Sequence, residues 1–172
     1  MGKQTVISGI QTALSIVGTL DAGTVYWAHR AGASLPCTSG GGCDVVNNSP
    51  WAFITFFSHQ IPVSLCGALT YLVLLIASVL RLTGDSELAA RRLNGSMLVI
   101  SFLGTCYSWY LQYVAKFLIG EFCIYCRVSA FTMTLIFLAS FAAAVFYASR
   151  RPPALAEPKT EGLPSLGRSP TK

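Results

Sequence analysis

Three stretches without a single charged residue, 61–80, 93–115 and 128–148, constrain this chain more than any other feature in it. A helix rises 1.5 Å per residue, so about 20 apolar residues reach across the roughly 30 Å hydrocarbon core of a bilayer. Each of the three runs is long enough to do so. Composition agrees, because 53% of the 172 residues are hydrophobic and only 11% are charged, whereas soluble domains carry about 25% charge. In water such a chain would expose contiguous apolar surface. The net charge of +5 does not indicate nucleic-acid binding. The basic residues are scattered or sit at segment ends and form no dense stripe for phosphates.

A fourth apolar stretch, about 5–27, is interrupted by Gln11 and Asp21 and contains Gly9, Gly18 and Gly23. Only Lys3 precedes it and it is longer than a signal-peptide core, so it reads as a first membrane helix. The expected fold is therefore an all-α integral membrane protein, a four-transmembrane-helix bundle. One domain over 1–150 holds helices at about 5–27, 61–82, 93–117 and 123–148, with a long loop over 28–60. Residues 28–50 are rich in Gly, Ser and Asn, with Gly40, Gly41 and Gly42 in a row, and read as a mobile segment. Residues 51–59 are aromatic but too short to span. They are predicted to form a short half-helix over the bundle mouth, with Ser49 as N-cap and Pro50 at its first position. Residues 151–172 hold five of the eight prolines and are expected to be a disordered cytoplasmic tail.

With four spans, the termini and the second loop share one side and carry Lys3, Arg81, Arg91, Arg92, Arg150 and Arg151 near the membrane, against Arg30, Lys116 and Arg127 on the other. The excess predicts cytoplasmic termini. The loop over 28–60 then lies outside the cytoplasm, where disulfides form.

Six cysteines divide by position. Cys66 and Cys106 fall within spans and read as small apolar packing residues. Cys37 and Cys43 flank five residues of the loop, and Cys123 and Cys126 form C-I-Y-C at the start of the last helix, so two pairs gather at one membrane face. Three residues apart on a helix, Cys123 and Cys126 have Cα atoms about 5 Å apart, within disulfide range. Free N–H groups at the helix start, with Arg127 alongside, favour a thiolate there. The glycines between Cys37 and Cys43 let that pair change conformation at little cost. Three other readings stay open at this point. The pairs could be structural disulfides. A four-thiolate metal site is another, although C-x5-C fits ligand spacing poorly. A proton-coupled transporter using Asp21 is the third, although Asp21 lies about 24 Å along its helix at 1.5 Å per residue, near the outer interface.

The combination Cys37, Cys43 and Asp44, then Ser49-Pro50, Pro62 and Gly67, then Cys123 to Cys126 resembles the vitamin K epoxide reductase family, in particular its bacterial members. The resemblance covers roughly residues 5–150. It implies a four-helix bundle around a quinone (ubiquinone, menaquinone or a related one), with no metal, in the bacterial inner membrane and with its active site on the periplasmic or extracytoplasmic side. It further implies that Cys37 exchanges with a thioredoxin-like (DsbA-like) protein, that Cys43 passes electrons to Cys123, and that Cys126 faces the quinone. Ser49 and Trp51 match family positions at the quinone. Vertebrate members place Asn and Tyr where this chain has Val63 and Ala130, so disulfide formation is expected ahead of the alternative, quinone-epoxide reduction. Several bacterial members carry a fused thioredoxin-like domain where this chain has its proline-rich tail, so the redox partner is expected to be a separate protein.

Overall fold

The structure, a computed structural model, describes residues 3–37, 42–56, 59–84 and 86–149; the expected disordered tail lies outside them. Four long helices dominate: α1 (Lys3–Ala31), α3 (Val63–Thr83), α4 (Glu87–Val114) and α5 (Ile124–Ser149), with a short α2 (Gly42–Asn47) in the first loop. The three glycines of α1 do not break it, and it extends past both predicted ends. Pro62 stands just before α3, in extended backbone that suits its fixed φ. Ser86 caps α4 by accepting from the Ala89 N–H at 3.4 Å, with Glu87 in the first turn where the helix dipole favours an acid. After Val114 the helix loosens into a π-turn (Ala115–Ile119) and stops at Gly120, whose φ of +79° is left-handed.

The bundle is apolar outside and polar within. Ile10, Leu20, Leu69, Ile76, Val99, Leu103, Leu138 and Phe141 are exposed, whereas Gln11, Ser15, Ser78, Asn94, Ser101 and Ser140 are buried. Water does not permit that inversion, but hydrocarbon does, since there it is polar contact between helices that needs an interior. Gln11 donates to Ser140 Oγ at 2.8 Å, Asn94 donates to the Ser140 carbonyl at 3.1 Å, and Arg81 donates to Gln11 Oε1 at 2.7 Å. One cluster thereby ties α1, α3, α4 and α5 together. Arg81, which the sequence suggests as a surface charge that sets topology, is turned inward. A smaller apolar core of Tyr71, Leu74, Met97, Met133 and Ile136 lies beside this cluster. There Gly18 is required, because a Cβ would overlap the Tyr71 ring.

Among the described residues three helices are both long and apolar enough to cross a membrane: Thr5–Ala31, Val63–Thr83 and Ile124–Ser149. The helix α4 is as long, but Asn94, Gln112 and its Tyr and Trp residues make it more polar.

The half-helix predicted over 51–59 is not what forms. A 3₁₀ turn (Pro50–Ala52) is followed by an antiparallel hairpin of β1 (Phe53–Phe56) and β2 (His59–Pro62), with Phe53 opposite Pro62 and Phe56 opposite His59. Phe, Ile and Thr in succession favour extended backbone, and Phe53 is already extended at φ −125°. Ser49 does not cap the turn. Its hydroxyl donates instead to the Val46 carbonyl at 2.7 Å. The hairpin rests on the end of α1 through an edge-to-face contact of Phe53 with His29 at 5.1 Å.

Candidate functional site

Both cysteine pairs lie at the loop end of the bundle. Beyond α1 the chain turns at Gly32, φ +62°, and the Leu35 N–H donates to Asp44 Oδ1 at 2.9 Å, which ties the loop to the first turn of α2. Cys37 and Cys43 are joined in a disulfide with Cα atoms 6.2 Å apart. Cys43, only 1% exposed, packs in one apolar cluster with Ala28, Leu35 and Cys123, and Cys37 and Cys126 border that cluster. A glycine makes this approach possible. A Cβ on Gly42 would stand 2.7 Å from Glu121 Oε2 and 2.8 Å from the Phe122 carbonyl oxygen, so the start of α2 lies against the strand of chain that leads to Cys123.

Cys123 and Cys126 are free thiols. The Cys126 N–H points at Cys123 Sγ at 3.4 Å. Cys123 precedes α5, and its thiol is held below the ordinary range. The largest cause is a hydrogen bond from the Cys126 side chain, and the backbone N–H groups of Cys126 and Tyr125 add to it against the opposing effect of burial. The N–H groups of the helix start act as their position in sequence suggests, but the chief contribution is the partner thiol and not Arg127. The arrangement is a closed disulfide set beside an open dithiol in which the Cys123 thiol is more acidic than an ordinary one. That is what thiol–disulfide exchange requires.

Beneath the cysteines lies a cavity of about 200 Å³ between the helices. Ala22, Val25, Val63, Leu111, Val114 and Met133 give it apolar walls, and Cys123 and Cys126 open onto it. Ser49, 8% exposed, and Trp51, 45% exposed, line it from the loop side, so the structure brings all of the expected quinone-side residues to one space. A quinone is a flat apolar ring with two carbonyl acceptors, and the walls suit the ring. For the carbonyls the structure offers a donor that the sequence reading missed: Ser64 Oγ lines the cavity, is buried and has no hydrogen-bond partner among the described residues. The only signal for it is its place in the first turn of α3. Tyr71 also lines the cavity, but its hydroxyl is already committed to Ser129, at 2.7 Å from the carbonyl oxygen and 3.0 Å from Oγ. Cys66 faces the cavity, and Cys106 is exposed on the outer side of α4 and not packed in the interior as expected. Among the described residues no group of three or more His, Cys, Asp or Glu side chains is placed to hold a metal.

A disulfide and a dithiol side by side over an apolar cavity, in a bundle with an apolar exterior, define a membrane thiol–disulfide oxidoreductase. The sequence model of the vitamin K epoxide reductase family matches residues 10–141, which include every cysteine and both ends of the cavity, and the chain belongs to that family. No curated protein matches it.

Proposed function

We propose that this protein oxidises a thioredoxin-like dithiol protein outside the cytoplasm and delivers the electrons to membrane quinone, so generating disulfides for extracytoplasmic proteins. The observation that carries this reading is the gathering of Cys43, within its disulfide, and free Cys123 into one small buried cluster. In this scheme a thiolate of the partner attacks Cys37, the Cys37–Cys43 bond breaks, and the partner's second thiol resolves the mixed disulfide. The partner leaves oxidised, and Cys37 and Cys43 hold two electrons. Cys43 then attacks Cys123 of a Cys123–Cys126 disulfide and releases the Cys126 thiolate. Cys37 attacks Cys43, re-forms the outer bond and releases Cys123. A sulfur with a lowered pKa leaves faster, so the hydrogen bonds on Cys123 favour this last step. The state described above, with the outer pair closed and the inner pair open, is then the one poised to reduce quinone.

The quinone is substrate here. Ser64 supplies a free hydroxyl to a carbonyl oxygen, while Ser49, held by Val46, and Trp51 close the space from the loop. We take α4 as a fourth span, since Asn94 and Gln112 lie within a helix of 28 residues packed on α5. The excess of basic residues that the sequence carries near the termini and in the second loop supports cytoplasmic termini and an extracytoplasmic site. Purified protein supplied with a reduced thioredoxin-like donor and a quinone tests the reading. Donor oxidation and quinone loss are expected in equal amounts. No quinone loss with any dithiol would overturn it.

A further inference from the structure

Asp21 stands in the wall of the same cavity as Cys123 and Cys126. Among the described residues it is the cavity's one carboxylate, and no Lys, Arg or His lines the space to neutralise it. No hydrogen bond or ion pair holds its oxygens among those residues. A carboxylate left unpaired in the wall of an apolar cavity is costly, and such a residue ordinarily has work to do. Its charge is felt at both Cys123 and Cys126. The other titratable groups lining the cavity are Cys66 and Tyr71 on α3, Tyr107 on α4, and Cys123, Tyr125 and Cys126 at the head of α5. None of these ordinarily carries charge at neutral pH, which leaves Asp21 as the group equipped to accept a proton there.

We propose that Asp21 is the proton carrier of the inner dithiol: its carboxylate takes the proton that Cys126 sheds and returns it to a quinone oxygen. The inference rests on the reading of the cavity as the quinone site. The balance closes without any further reactant. Two S–H bonds break and one S–S bond forms between Cys123 and Cys126. The two electrons and two protons released convert the quinone's two carbonyls to two hydroxyls. One of the protons passes through Asp21, which ends the turnover ionised as it began. Its place on α1, in the wall of the cavity that Cys123 and Cys126 also line, puts it in the space that the thiol and the ring would share.

The test uses the full-length protein with Asp21→Asn and Asp21→Glu. With a quinone and a reduced protein donor, Asp21→Asn is expected to lower the rate of quinone reduction about 100-fold, the usual scale of a lost acid–base group. The apparent KM for quinone and the rate of donor oxidation in a single turnover should stay near the unsubstituted values. Added acetate or formate should restore part of the rate, and Asp21→Glu should retain most of it. A readout independent of quinone comes from infrared difference spectra of the quinone-free protein, taken between the oxidised and reduced inner pair. A carboxyl band that changes with the state of the pair and vanishes in Asp21→Asn is expected. An Asp21→Asn protein with unchanged quinone reduction and pH profile would overturn the proposal. Should that variant fail to fold, the absence of any carboxyl change in the unsubstituted protein would overturn it. If the unsubstituted protein itself reduces no quinone, the reading of the cavity fails, and the infrared result still decides whether Asp21 exchanges a proton with the dithiol.

Discussion

Gly42 and Phe122 approach so closely that a methyl group on Gly42 would stand 2.8 Å from the Phe122 carbonyl oxygen. This contact sets the depth at which α2 docks, and Cys43, the next residue, thereby enters the buried cluster that holds Cys123. Gly42→Ala must push the two segments apart, at a cost of about 1–3 kcal/mol typical of overpacking. Quinone reduction driven by a protein donor should fall about tenfold or more, since about 1.4 kcal/mol is a factor of ten. A small dithiol that reaches Cys123 and Cys126 directly should still support turnover. Equal loss with both donors would mean that the glycine serves folding and not the relay.

The hydrogen bonds on Cys123 have a consequence for pH. A thiol reacts in proportion to its thiolate fraction, which rises with pH, so a lowered pKa moves that rise to lower pH. In the reduced protein Cys123 should therefore be alkylated at pH values where an ordinary cysteine is still largely protonated. Cys126→Ala removes the largest lowering influence and should shift the profile of Cys123 to higher pH. Alkylation followed by peptide mapping across a pH series checks this.

Two serines line the cavity with different commitments. Among the described residues Ser64 Oγ has no partner, whereas Ser49 Oγ already donates to Val46. Ser64→Ala should raise the KM for quinone by about two- to tenfold, the worth of one net hydrogen bond of about 0.5–1.5 kcal/mol. Ser49→Ala should act mainly by loosening the turn and change the KM less. Steady-state kinetics with a soluble quinone distinguishes the two, and the reverse order would shift the quinone contact to the loop.

Gly18 and Tyr71 offer a test of packing alone. A Cβ at Gly18 overlaps the Tyr71 ring, so Gly18→Ala should cost about 1–3 kcal/mol and lower the Tm in detergent. An unchanged Tm would place the two helices farther apart than described here.

What the sequence made legible was what depends on local pattern. Charge-free runs mark spans because lipid tests every residue of a segment in the same way, and the C-I-Y-C motif at a helix start fixes both spacing and chemistry within four residues. The hairpin at 53–62 was missed because a short aromatic run is equally readable as helix, and pairing with β2 and contact with His29 decided the matter. Ser64 and Asp21 gain their interest from the cavity they line, which exists only once α1, α3 and α5 are packed. Cys106 and Arg81 show the same limit in reverse. In a span, the face a side chain presents depends on the neighbouring helices, and these turned Cys106 outward and Arg81 inward.

The central claim is that electrons pass between Cys43 and Cys123, and one experiment addresses it directly. Protein carrying Cys37→Ser and Cys126→Ser keeps one cysteine of each pair and has no resolving partner for either. Oxidised in the membrane and mapped by peptide mass analysis, it should contain a Cys43–Cys123 disulfide in high yield. Cys43 and Cys123 recovered as free thiols, or linked only between molecules, would contradict the relay.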